Sequence, residues 1–342
     1  MARPAREPFE LYAIKRLPRL GRRFLLSKPH LKYQVCYLEQ VWLFYRRKSF
    51  IAFMAPMKLL FISLAEGKNS GRRKDEWEDD WMPKTIFITG AGSGLGKGTA
   101  LGLAGKGHRV IAPVETAPQV TALREEAQAA GVELDVFKMD IKNPQDLAQM
   151  LDYDFDIFVA NAAVNEGGPL GEVPMKNFRE LFEVNVFSTL ETAQIAAQKF
   201  VAKGEGKIIF MSSMAGIMAT PYVGPYTATK HAIEAIATTM QKELEGFGVK
   251  VATINPGAFA TGFNDRSAEA KWKWYDEKIH FTKKQDMEEA DKALENQYDP
   301  ADMIAKMVEV IPLDSHKFRT AYPEETEKQM KEEEAKRWDM EI

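Results

Sequence analysis

At 342 residues, with 45% hydrophobic and 28% charged side chains, the chain has the composition of a folded globular protein rather than of a disordered or low-complexity one. A net charge of −3 gives no general pull toward nucleic acid or an anionic membrane. The one cysteine, Cys36, excludes an internal disulfide and fits a reducing, cytoplasmic setting; His30, His108, His231, His280 and His316 lack metal-ligand spacing, so no metal is expected.

The chain starts basic: Arg3, Arg6, Lys15, Arg16, Arg19, Arg22, Arg23, Arg46, Arg47 and Lys48 face few acids. Residues 49–65, SFIAFMAPMKLLFISLA, are apolar but shorter than the roughly 20 residues of a spanning helix, and Pro56 and Lys58 interrupt them, so no membrane span is expected. Such a start resembles a transit peptide or surface anchor, followed by the charged linker EGKNSGRRKDEWEDDW. A different reading comes from Trp77-Glu78-Asp79, whose codons can contain GGGAGGA, like a bacterial ribosome-binding site just before the Met82 codon. Residues 1–81 are therefore expected to be an upstream translation with little stable fold, a transit or anchoring segment being the alternative, and residues 82–342 to form a single catalytic domain.

From Pro83 the pattern is regular. TIFIT (85–89), RVIAPV (109–114), LDVFKM (134–139), DIFVA (156–160), KIIFM (207–211) and VKVATI (249–254) read as strands, nearly continuous in apolar residues as expected of strands covered on both faces. Between them lie helical patterns, two of which end in Gly204 and in Gly246 and Gly248. This predicts a doubly wound parallel sheet, three-layer α/β/α and Rossmann-like.

TGAGSGLG follows the first strand and opens a helix, fitting T-G-x-x-x-G-x-G with Thr89, Gly90, Gly94 and Gly96 and enclosing Ser93 and Leu95. Unpaired N–H groups and the positive dipole end of such a helix suit a pyrophosphate. Glu115, at the end of the second strand, is placed to accept hydrogen bonds from ribose hydroxyls, which favours NAD(H) slightly over NADP(H); Lys97 points the other way unless it is a solvated surface lysine. Asp140 either accepts from an adenine amino group, with Ile141 against the ring, or caps the helix near Pro144.

Tyr226 and Lys230 are four residues apart and share a helix face, where an ammonium stabilises a phenolate. An ordinary tyrosine, with a pKa of about 10, is a poor base near neutrality without such help. Together with Ser213 and the motifs TGAGSGLG, MDI, NAAV, NVF, SS and NPGAFAT in this order, these residues make the chain from Pro83 onward resemble the short-chain dehydrogenase/reductase family in its compact form. The resemblance implies that Tyr226 is the general acid/base, that Lys230 binds the nicotinamide ribose and lowers the tyrosine pKa, and that Ser213 bonds the substrate oxygen. It implies further that Asn185 holds a proton-relay water, and that Asn161, Ala162, Pro256, Gly257 and Thr261 contact the cofactor. Ala160 and Ala163 depart from the family's Asn-Asn-Ala-Gly turn.

The resemblance also implies a variable substrate lid, here around residues 259–298. Phe259, Phe263, Trp272, Trp274, Tyr275 and Phe281, with Met214, Met218 and Tyr222, are candidates for an apolar pocket, or else the tryptophans anchor the lid; a moderately hydrophobic secondary alcohol or ketone is the expected substrate. No fixed cation for an anionic substrate group stands out, since Lys271, Lys273 and Lys278 read as solvated. HKFRTAY (316–322) reads as a last strand before a charged helix, and a homodimer or homotetramer is implied by the resemblance alone. The competing functions are a non-catalytic dinucleotide-binding regulator, a sugar-nucleotide epimerase or dehydratase, and an anchored interaction protein.

Overall fold

The computed structural model describes residues 82–341, so the expectations for residues 1–81 lie outside the described residues. Six parallel strands, β1 Thr85–Ile88, β2 Arg109–Ile111, β3 Ile157–Ala160, β4 Gly206–Met211, β5 Val249–Pro256 and β6 Arg319–Tyr322, form one sheet in the order β2-β1-β3-β4-β5-β6. Helices α1 Gly94–Gly105, α2 Ala117–Ala129, α3 Pro144–Leu147, α4 Met175–Phe182, α5 Thr189–Lys203 and α6 Gly224–Leu244 alternate with the strands. After β5 come α7 Phe263–Ala270, α8 Lys284–Asp291 and α9 Pro300–Val310, and after β6 the C-terminal α10 Glu324–Trp338.

Strand residues divide between two cores by the period of two. Ile86, Ile88, Val159 and Ile209 face one side with Leu103 of α1 and Met303 and Met307 of α9, whereas Phe87, Phe158, Ile208 and Phe210 face the other with Ala193 and Phe200 of α5 and Ile233 of α6. Burying both faces requires apolar residues at consecutive positions, which explains the uninterrupted runs. Gly204 and Gly248 end their helical segments in the left-handed region, at φ 81° and 77°. The other predicted glycine, Gly246, lies inside the 3-10 turn Glu245–Phe247.

Three strand expectations are corrected. The second strand stops at Ile111 because Pro113 has no N–H to continue the ladder. Residues 134–139 are no full strand but two isolated bridges, Ile111 with Asp135 and Val114 with Lys138, held by backbone bonds such as Asp135 N–H to the Val110 carbonyl (2.9 Å) and Met139 N–H to that of Val114 (2.7 Å). The last strand is also shorter than 316–322, beginning at Arg319.

The lid region is a closed excursion. The Tyr298 N–H donates to the Ala258 carbonyl at 2.8 Å and the Ala260 N–H to that of Tyr298 at 3.0 Å, pinning its two ends together above the C-terminal end of β5. That end of a doubly wound sheet is where ligands bind.

Candidate active site

A cleft of about 250 Å³ opens at the C-terminal ends of the strands. Gly90, Ser93, Gly94, Leu95, Gly96, Glu115, Asp140, Ile141, Asn161, Ala162, Ser213, Tyr226, Lys230, Pro256, Gly257 and Thr261 all line it. Thr89 and Asn185 stand behind its wall.

The glycine turn is shaped for a ligand's phosphates. Gly94, the first residue of α1, has φ +56°, and Ser93 before it is extended and makes no side-chain cap. The first turn of α1 holds no acid, so its N–H groups and dipole face the cleft uncompensated. A Cβ on Gly96 would lie 2.3 Å from Asn161 Nδ2 and 2.7 Å from the Gly90 carbonyl, so only glycine lets the helix approach this closely. Thr89 and Asn161 tie the turn down: the Thr89 hydroxyl accepts from the Asn161 and Ala162 N–H groups (3.0 and 3.1 Å), and Asn161 Nδ2 donates to the Thr89 and Gly90 carbonyls (2.9 and 3.1 Å). This cradle fits a dinucleotide.

Farther along, Asn143 and not Asp140 caps α3, its Oδ1 accepting from the Gln145 and Asp146 N–H groups. The capping alternative for Asp140 is thereby overturned: one of its oxygens accepts from the Lys142 N–H at 2.9 Å, and the residue lines the cleft. Lys97 is paired with Glu126 at 2.8 Å and is absent from the cleft lining, which leaves Glu115 exposed at its end.

At the opposite end Ser213 caps the short turn Met214–Gly216, while Tyr226 and Lys230 project from α6. Lys230 Nζ lies 5.5 Å from the Tyr226 ring centroid and donates to the Met211 carbonyl at 2.7 Å. Burial pushes the Tyr226 phenol well above its ordinary value, and a hydrogen bond with Ser213 pulls it partway back. Burial lowers Lys230 to about 8 against the opposing charge of Glu234. Burial outweighs the Ser213 hydrogen bond, which leaves a protonated phenol at neutral pH.

Asn185 lies in a π-helical turn, Glu183–Ser188, between α4 and α5. Its Oδ1 accepts from the Val164 N–H (2.9 Å), and its Nδ2 donates to the Val164 carbonyl (2.9 Å) and to Thr229 Oγ1 (3.2 Å). Thr229 in turn donates to the Tyr226 carbonyl at 2.7 Å, so Asn185 braces the tyrosine's helix.

Of the nine candidate pocket residues, only Phe259 and Phe263 line the cleft. Phe263 meets the Tyr226 ring edge-on at 5.6 Å. Trp274 instead donates Nε1 to Glu166 at 3.2 Å, tying the lid to the segment after β3, and Tyr275 donates to the Thr282 carbonyl at 2.7 Å within the lid. Lys271 is buried and paired with Asp291 rather than solvated. Sequence reasoning missed Gln119, Lys142, Asn264 and Arg266, all of which line the cleft. Arg266, stacked over Phe263, is one such cation, and only the helical spacing of α7 relative to Phe263 could have signalled it. Among the described residues, no cluster of three His, Cys, Asp or Glu side chains suits a metal, and no helix is long and apolar enough to cross a membrane.

A parallel sheet with a phosphate cradle and a serine, tyrosine and lysine at its C-terminal edge defines a dinucleotide-dependent oxidoreductase. Comparison agrees: the family model described as short chain dehydrogenase matches residues 84–272, and the chain belongs to that family of NAD(P)-dependent dehydrogenases and reductases acting on CH–OH groups. A diacetyl reductase [(S)-acetoin forming] from Staphylococcus epidermidis is 35% identical over 192 residues, 54% of this chain and 75% of that protein. A short chain dehydrogenase/reductase from Burkholderia phymatum in complex with NAD superposes with a TM-score of 0.62 at 21% identity, covering 73% of this chain and 92% of the other. A gluconate 5-dehydrogenase from Burkholderia cenocepacia in complex with NADP and tartrate gives 0.50 at 27% identity, covering 55% and 78%.

Proposed function

We propose that the chain interconverts a moderately hydrophobic secondary alcohol and its ketone, with NAD(H) preferred over NADP(H). The observation that carries this reading is the meeting of Ser213, Tyr226 and Lys230 at one end of a cleft whose other end is the glycine cradle. Gly90, Ser93, Gly94, Leu95 and Gly96 would hold the pyrophosphate, Glu115 the adenosine ribose, and Asp140 and Ile141 the adenine. Thr89, Asn161 and Ala162 would support the adenosine half, and Pro256, Gly257 and Thr261 the nicotinamide. When bound, the dinucleotide supplies or takes up the hydride at the carbinol carbon.

The side chains manage the proton. Tyr226, protonated at neutral pH, donates its phenolic proton to the carbonyl oxygen in reduction, and Ser213 donates a hydrogen bond to the same oxygen as charge builds on it. The Lys230 ammonium, 5.5 Å from the ring centroid, stabilises the phenolate left behind. Asn185 acts as a brace through both ends of its side-chain amide, and its Oδ1, which accepts one bond here, retains a lone pair for the relay water that the family resemblance implies.

Glu115 in the cleft, with Lys97 turned to Glu126, supports the NAD(H) preference. Val164, Val184, Phe259 and Phe263 make the substrate end apolar, while Asn264 and Arg266 keep it from being wholly so. That mixture, and the diacetyl reductase among the relatives, support a compact ketone. Acting as a homodimer or homotetramer is part of the proposal on the family resemblance. The test follows nicotinamide absorbance with NADH and NADPH against diacetyl, acetoin and progressively larger ketones. Turnover with NADH on at least one is expected; none with either cofactor contradicts the activity, and a strong NADPH preference contradicts the cofactor assignment.

A further inference from the structure

Glu234 belongs to none of the sequence motifs, yet its carboxylate joins the elements that carry the site. It lies one helical turn after Lys230 on α6 and is only 6% exposed. Oε1 accepts from Asn255 Nδ2 on β5 at 2.6 Å, and Oε2 accepts from an Arg319 terminal nitrogen on β6 at 2.6 Å. Asn255, fully buried, donates from the same Nδ2 to the Ser213 carbonyl at 3.0 Å, and its Oδ1 accepts from the Thr253 hydroxyl at 2.9 Å. A rigid chain of hydrogen bonds therefore runs from Arg319 through Glu234 and Asn255 to the backbone that presents Ser213.

The same carboxylate is the one anionic group acting on Lys230 among the described residues, and its charge opposes the effect of burial there. Facing this cluster, α6 contributes Tyr226, Lys230 and Glu234, β6 contributes Arg319, and β5 and the Ser213 turn contribute only neutral Thr253, Asn255, Ser212 and Ser213. A buried carboxylate is costly unless its partners satisfy it, and here the partners are a catalytic-strand amide and one arginine.

We propose that Glu234 is a positioning residue for catalysis: through Asn255 it fixes the Ser213 turn, and one helical turn from Lys230 its carboxylate acts on that buried ammonium, with Arg319 as the counter-charge that limits this effect. The catalytic part rests on the reading of Ser213, Tyr226 and Lys230 given above.

The test uses the full chain as wild type, Glu234→Gln and Arg319→Gln, with side-chain NMR titration of lysine-labelled protein and Lys230→Met for assignment. In Glu234→Gln the Lys230 midpoint is expected to fall by about one pH unit, and in Arg319→Gln to rise, because Glu234 is then less neutralised. The alkaline limb of kcat/KM for ketone reduction should follow in the same two directions. Glu234→Gln should also lower kcat about ten- to a hundredfold through the loosened Ser213 turn, with NADH affinity retained and Glu234→Asp partly restoring the rate. A purely structural ion pair would give both variants the same loss without opposite shifts, and an unmoved Lys230 midpoint in both variants overturns the proposal. If Glu234→Gln fails to fold, a Lys230 midpoint that does not rise in Arg319→Gln still overturns it. Opposite midpoint shifts in the two variants, with a wild type lacking nicotinamide-dependent turnover, would instead overturn the catalytic reading and leave the electrostatic coupling standing.

Discussion

Two buried lysines stand at opposite ends of β4. Lys207, its second residue, is 6% exposed and bonds the Leu313 carbonyl, while Lys230 is 3% exposed and bonds the carbonyl of Met211, the last residue of the strand. Burial lowers both to about 8. Around Lys207 gather His316, Lys84, Lys250 and Asp314, away from the lining of the cleft; around Lys230 are Tyr226, Glu234 and the glycine-floored cleft. An identical shift thus accompanies a structural tether at one end and, in the proposed function, the ammonium that stabilises the Tyr226 phenolate at the other. Titration alone does not identify function; the end of the sheet and the neighbours do.

The sharpest way to break this comparison is to remove each ammonium. Lys230→Met is expected to cut kcat/KM by about 10²-fold or more, whereas Lys207→Met should leave it within about twofold. Equal losses measured by steady-state kinetics would erase the distinction.

Titration sharpens it further. Lys230 is protonated below its value of about 8, so carbonyl reduction should decline as pH rises through about 8 in wild type and equally in Lys207→Met. For stability the sign is separate. Each lysine's folded value, about 8, lies below the ordinary 10.5, so the unfolded chain binds more protons between them, and each contributes a penalty that is full below about 8 and fades as pH rises toward 10.5. Lys207→Met should flatten that rise in urea-melt stability and leave the protein as stable at neutral pH or more so, by up to about 2 kcal/mol.

Farther from the lysines the effects shrink. Glu115→Arg should move the kcat/KM ratio of NADH to NADPH by about tenfold toward NADPH, since a cation replaces the carboxylate proposed to bind the ribose. Trp274→Phe, which removes the 3.2 Å bond to Glu166, should raise the ketone KM by no more than about fivefold and leave NADH affinity alone, consistent with a lid anchor worth about 1 kcal/mol.

That the glycine turn and the Tyr226–Lys230 pair would each come together was legible in the sequence because the constraints are local. Gly94 and Gly96 follow a strand directly, and Tyr226 and Lys230 lie one helical turn apart, so spacing alone brings each set together. The apolar run at residues 134–139 predicts a strand, but Pro113 in the neighbouring chain segment reduces the pairing to bridges, a restriction that no single-segment pattern contains. The lid was the least legible part. Trp274 and Tyr275 carry polar tips whose partners, Glu166 outside the lid and the Thr282 carbonyl within it, hold the rings away from the cleft. Glu234 escaped notice for a similar reason: its partners come from β5 and β6, and nothing near it in sequence announces them.

The central claim, that the cleft joining the glycine cradle to Tyr226 is where the chemistry occurs, is tested most directly by comparing wild type with Tyr226→Phe in the same preparation, measuring NADH binding by fluorescence and ketone reduction by nicotinamide absorbance. The account predicts unchanged NADH binding and a loss of turnover of about 10²–10⁴-fold. Near-normal turnover in Tyr226→Phe would contradict it.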